Sequence, residues 1–200
     1  TKVDSTGIDL TDNFAFTGTV SGTPDNSQFV KLSSIQISNS VTAVDNSQIF
    51  TSDYKKYLVT FNNVGITTNN GAFRFKFYND TGATSDNKMN CYHYGGISSN
   101  ATLAQAVHGG YPYIGASMYG GTSEGLSGFM WVQDPLDVNI QTKFQFQTSY
   151  TRNDGYTSTW SGGGVTNDAG RTHNGFYWFT DAGGGNFQGD CRITTFGVKH

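Results

Sequence analysis

Glutamate is almost missing from this chain: Glu124 is the only one, and the other fourteen acidic residues are aspartates. Glutamate favours helix interiors whereas aspartate favours caps and turns, so the imbalance argues against a helical domain. Long apolar runs are also lacking. None approaches the ~18 residues of a membrane-spanning helix, and no basic segment followed by an apolar one opens the chain as a signal peptide would. Strong net charge is absent, with 12 basic against 15 acidic side chains and a formal net of -3. That balance makes no electrostatic funnel, so nucleic acid is not an expected partner; membrane insertion is not expected either, for want of a long apolar run. Histidines are few, and His93, His108, His173 and His200 show no i, i+4 pairing and no accompanying cysteine pair. No metal site and no cofactor are therefore expected. Asn79, Asp80, Asp86 and Asn87 could gather around a hard cation, but they lack the glutamate-terminated spacing of a calcium loop and read as a solvated loop. The two cysteines, Cys91 and Cys191, fall in apparent strands. They could be two buried thiols or one strand-to-strand disulfide, and the redox compartment stays open.

What the chain does contain is 26 glycines, many Asn, Ser and Thr, and 14% aromatic residues. Glycine and Asn/Asp supply turn positions, while Thr, Phe and Tyr suit pleated strands. At 200 residues one domain can bury a full core. Residues 1–28 are polar, with Ile8, Leu10, Phe14, Phe16 and Val20 as their only sizeable apolar groups. They are expected to be a linker or attachment segment of a processed or excised chain, and 29–200 to be the folded domain. Period-2 alternation marks about ten strands: around Ile35 and Ile37, from Ile49, and over 56–64, 73–78, 89–94, 113–119, 126–132, 143–150, 173–180 and 191–198. Phe73, Phe75 and Phe77 alternate with Arg74, Lys76 and Tyr78, and a similar pattern runs over 143–146. Strands buried on one face and wet on the other belong to antiparallel sheets, so two packed antiparallel sheets are expected. One short helix at most is expected, over 100–108, capped by Asn100 and ended by Gly109. The mixed faces of the closing strand suit a sheet edge or a subunit boundary.

Catalytic motifs fare poorly in context. Gly121-Thr122-Ser123-Glu124-Gly125 matches the serine-hydrolase elbow, but a strand follows it where the elbow needs a helix. Gly162-Gly163-Gly164 and Gly183-Gly184-Gly185 lack the lysine and helix of a phosphate loop and read as hairpin loops. Glycoside cleavage needs two carboxylates; Asp134 with Asp137, and Asp181 with Asp190, are explained as turn residues. No catalytic residue is assigned. Tyr111, Tyr113, Tyr119, Tyr156 and Trp160 sit beside glycines rather than in clean alternation, and flat rings with a polar edge stack on sugars or anchor interfaces. They are the candidate ligand-binding residues. Trp131 and Tyr177-Trp178-Phe179 read as strand residues serving core or subunit contact.

Over about 35–200 the chain resembles the carboxy-terminal domains of tailed-bacteriophage fibre and virion-surface proteins, especially of marine phages. The resemblance is carried by Tyr57-Leu58-Val59-Thr60-Phe61-Asn62-Asn63-Val64, by Phe73-Arg74-Phe75-Lys76-Phe77, by Tyr92-His93-Tyr94, and by the ending Gly184-Gly185-Asn186-Phe187-Gln188-Gly189-Asp190-Cys191-Arg192-Ile193-Thr194-Thr195-Phe196-Gly197-Val198. Cys191 and Thr194-Thr195 depart from that family's aliphatic-tyrosine ending. The resemblance implies an all-β, jelly-roll-like or lectin-like sandwich on the particle surface. It further implies a homotrimer, joined to other virion proteins through 1–28, that binds host glycans or neighbouring virion proteins without catalysis. A carbohydrate-binding module of a secreted protein and a polysaccharide depolymerase are the alternatives.

Overall fold

The computed structural model describes residues 28–37, 41–79, 89–97, 104–121, 125–166, 171–181, 185–188 and 190–199, with the side chains at 97 and 104–109 left aside. Within these, the chain forms strands and no helix: β1 (Phe29–Ile37), β2 (Ala43–Asn46), β3 (Lys56–Ile66), β4 (Gly71–Asn79), β5 (Met89–Ile97), β6 (Ala104–Gly109), β7 (Tyr113–Met118), β8 (Leu126–Gln133), β9 (Lys143–Thr151), β10 (Thr157–Thr166), β11 (His173–Thr180), β12 (Phe187–Gln188) and β13 (Cys191–Val198). Two antiparallel sheets result. The larger runs β1-β13-β3-β8-β9-β10-β5-β6, with β12 paired to the end of β3, and the smaller runs β2-β11-β4-β7. Setting aside the hairpins β5–β6 and β9–β10 leaves β1-β13-β3-β8 facing β2-β11-β4-β7. That is the eight-strand jelly-roll order. The two hairpins join the far side of the larger sheet and double its width.

The sheets are held together by aromatic side chains. Phe73, Phe75 and Phe77 of β4 are fully buried, as are Phe176 and Trp178 of β11. Phe61 of β3 meets Trp178 edge-on at 5.4 Å, and Phe144 of β9 meets Phe75 edge-on at 5.2 Å. Each such ring pair contributes about 0.5–1.5 kcal/mol beyond area burial. Two polar ties fasten β9 to β7 across the gap. The Thr148 hydroxyl donates to the Ile114 carbonyl at 2.7 Å. The Tyr150 hydroxyl donates to the Ala116 carbonyl at 2.7 Å and accepts from the Ala116 amide at 3.0 Å.

Four expectations are corrected. Residues 104–109 are a strand, β6, rather than helix, because pairing with β5 outweighs the modest helix preference of its alanines; residues 100–103 lie outside the described residues. Gly162-Gly163-Gly164 is the middle of β10, not a loop, and pairs on both sides with β9 and β5. Glycine is required there by close approach: a Cβ on Gly162 would lie 2.7 Å from the Phe146 ring and from the His93 Cβ. The closing strand β13 is interior, flanked by β1 and β3. Ile49 is buried beyond the end of β2 rather than beginning a strand. The two cysteines are buried and form no disulfide, and burial pushes the Cys191 thiol up from its ordinary value.

Tyr150→Phe removes the one hydroxyl that partners both the amide and the carbonyl of Ala116 and is expected to cost about 1–3 kcal/mol in urea unfolding. Burial pushes the Tyr150 phenol up from its ordinary value of 10.0 to about 12. Its folded-state value is raised, so its contribution is complete below pH 10.0 and is lost as the pH rises through about 12. Unfolding free energy measured from pH 9 upward is expected to fall over that window, less steeply in Tyr150→Phe.

Candidate functional site

The five loop aromatics do not converge. Trp160 lies in β10 on its inward side, stacked on His93 at 4.1 Å, with its indole N–H donating to the Ser158 hydroxyl at 2.7 Å. Tyr113 lies in β7, with the Arg74 guanidinium over its ring at 3.8 Å. Arg74 also hydrogen-bonds the Tyr113 hydroxyl and pairs with Asp181 at 3.1 Å. Tyr111 packs edge-on against Phe179 at 5.5 Å and beneath the Lys76 ammonium at 4.1 Å, on the smaller sheet's outer side. Tyr119 and Tyr156 are exposed and share one end of the sandwich. There the Tyr119 amide donates to Thr151 at 3.0 Å, and the Tyr156 carbonyl accepts from Arg152 at 2.9 Å. The structure thus leaves Tyr119 and Tyr156 exposed, sets Tyr111 and Tyr113 against the β4 cations Lys76 and Arg74, and buries much of Trp160.

A broader surface lies on the outer face of the larger sheet. Strand pairing sets Tyr92, Gly163, Gln145 and Trp131 side by side in one row across β5, β10, β9 and β8. The neighbouring row is Tyr94, Ser161, Gln147 and Phe129, and that on the other flank is Asn90, Val165, Lys143 and Gln133. Tyr92 and Tyr94 are 48% and 41% exposed and meet edge-on at 5.2 Å. Trp131 carries the Lys56 ammonium over its ring at 4.9 Å and touches Phe29 at 6.3 Å. Between these aromatic banks the floor is low, because Gly163 carries no side chain. Three adjoining depressions follow it: about 200 Å³ beside Trp131, Lys143 and Gln145, about 330 Å³ beside Tyr92, Tyr94 and Ser161, and about 490 Å³ beside Tyr92, Lys143 and Val165. At about 4.8 Å per strand, Tyr92 and Trp131 stand roughly 14 Å apart. The arrangement offers ring faces for stacking and amides for paired hydrogen bonds, the chemistry of sugar recognition.

Sequence alone does not show this face, because the glycines at the middle of β10 carry no alternating side chains. Part of the signal lies in Lys143, Gln145, Gln147 and Ser149, which are exposed while Phe144, Phe146, Thr148 and Tyr150 are buried.

A separate depression of about 320 Å³ at the sandwich end is lined by Ser52, Tyr54, Lys55 and 134–138, so it contains Asp134 and Asp137. Asp134 adopts φ +53° and its carbonyl accepts from the Asp137 amide at 3.3 Å, as turn residues do. Ser123 lies outside the described residues; Leu126, just past its motif, opens strand β8. No group of three or more potential metal ligands occurs among the described residues.

Trp160→Ala is expected to cost about 3–5 kcal/mol in denaturant unfolding. Tyr92→Ala and Trp131→Ala are expected to stay within about 1 kcal/mol, since surface substitutions cost little. Comparison with protein-family models, with curated proteins and with solved structures finds no match for this chain.

Proposed function

We propose that this chain is a non-enzymatic recognition domain of a virion surface protein, a tail-fibre tip or capsid-decorating domain, and that it engages glycan through the outer face of its larger sheet. The observation that carries the recognition reading is the outward-facing row of Tyr92, Gly163, Gln145 and half-buried Trp131 with its adjoining depressions. The virion setting, the homotrimer and attachment through 1–28 are supported by the resemblance in 57–61, 73–77, 92–94 and 186–198. The jelly-roll order accords with that setting but also serves lectins, so fold alone does not carry it. Absence of cleavage is supported by the carboxylates themselves. None of the strands of the larger sheet contains Asp or Glu, and Asp181 is engaged by Arg74.

The second reading, a carbohydrate-binding module of a secreted protein, draws on the same face. Light scattering separates the two: a stable trimer is expected for the virion protein, and a monomer that binds sugar favours the module. On a glycan array, Tyr92→Ala and Trp131→Ala are each expected to weaken retention by about tenfold, from a lost stacking contact of about 1 kcal/mol or more. Unchanged retention by both variants would contradict the assignment of this face. New reducing ends on incubation with polysaccharide, lost in Asp134→Asn, would overturn the non-enzymatic reading.

A further inference from the structure

Among the described strands, acids are absent from the larger sheet. The chain's formal net is -3, yet the strands of the larger sheet contain Lys31, Lys56, Lys143 and Arg192 and no carboxylate. All four cations sit on the outer face, in register with its exposed rows. The smaller sheet does hold an acid, Asp45, which accepts from the Tyr78 hydroxyl at 2.9 Å; its Arg74 is paired with Asp181 at 3.1 Å, and its Lys76 lies over the Tyr111 ring at 4.1 Å. Lys56 lies over Trp131 and Arg192 donates to the Gln36 side chain at 3.3 Å. Lys143 is exposed at the junction of two depressions, with Tyr92 lining one and Trp131 the other. It stands two residues from Gln145 on the same face of β9. An ammonium between two ring platforms, with no acid in any strand of its sheet, complements a ligand that is both ringed and anionic.

We propose that this face binds an acidic glycan laid across β5, β10, β9 and β8, with sugar rings on Tyr92 and Trp131 and an anionic substituent at Lys143. This rests on the glycan-recognition reading above and adds the charge of the ligand. The substituent is a uronate carboxylate or a sulfate, both of which accept hydrogen bonds from an ammonium. Such contacts weaken as salt screens them.

The test is affinity electrophoresis and calorimetry of the full chain with polygalacturonate, dextran sulfate, uncharged dextran and single-stranded DNA. Binding to either acidic polysaccharide, with dextran at least about tenfold weaker, is expected, and which of the two binds names the substituent. Lys143→Gln is expected to weaken binding by about fivefold or more, whereas Lys143→Arg and the opposite-face control Lys76→Gln retain it; circular dichroism checks that each variant is folded. Equal binding of dextran, lost in Tyr92→Ala, would overturn the acidic ligand while leaving glycan recognition standing. No binding to any polysaccharide would sink both. Tighter binding of DNA than of either glycan, or equal losses in Lys143→Gln and Lys76→Gln, would also overturn the proposal.

Discussion

Interlocking aromatic rings between the two sheets are the constraint on which the rest of the molecule depends. Phe61 and Phe144 from the larger sheet insert edge-on among Phe73, Phe75 and Trp178 from the smaller one. Trp178 in turn stacks on Phe176 at 4.6 Å. Each ring buried contributes on the order of 2–3 kcal/mol, and edge contacts favour particular ring orientations. Because β3, β4, β9 and β11 supply these rings from inward positions, their outward positions are released from packing. The larger sheet exploits that release. Its two extra hairpins carry Tyr92, Tyr94, Gln145 and Gln147 outward while Phe146, Thr148 and Tyr150 hold β9 to the core.

The same division explains where charge resides. Described aspartates occupy turns and margins: Asp134 and Asp190 adopt positive φ, and Asp154 pairs with Arg152 at 3.2 Å at the β9–β10 turn. Turn chemistry selects aspartate at these places, and strand pleating excludes it from sheet interiors. A mildly acidic chain thereby presents a basic and aromatic sheet face. Overall net charge conceals that local sign, which bears on the choice of partner.

Much of the architecture was legible in the sequence, for a definite reason. Alternation in Phe73–Phe77 and Phe144–Phe146 reports one dry and one wet face, and it implied two stacked antiparallel sheets. Where a strand lacks alternating side chains the signal vanishes. Gly162 to Gly164 carry none, so β10 was hidden, and with it the row that joins Tyr92 to Trp131. Ala104 to Gly109 has helix-compatible composition, and only a neighbouring strand determines its state. Trp160, between Thr159 and Ser161 and ahead of three glycines, resembled a loop platform, yet it stacks on His93 and lines the interior. The row from Tyr92 to Trp131 is a product of register across four strands, and register between distant segments is not written in any local window.

The most direct measurement is a backbone amide NMR titration of the full chain with galacturonate oligosaccharides and, separately, with sulfated dextran oligosaccharides. The account predicts perturbations concentrated in Tyr92–Tyr94, Phe129–Trp131, Lys143–Gln147 and Ser161–Val165, with the turn around Asp154 and the Tyr119 region silent. Perturbations centred on Tyr119 and Tyr156, or none anywhere, would contradict it.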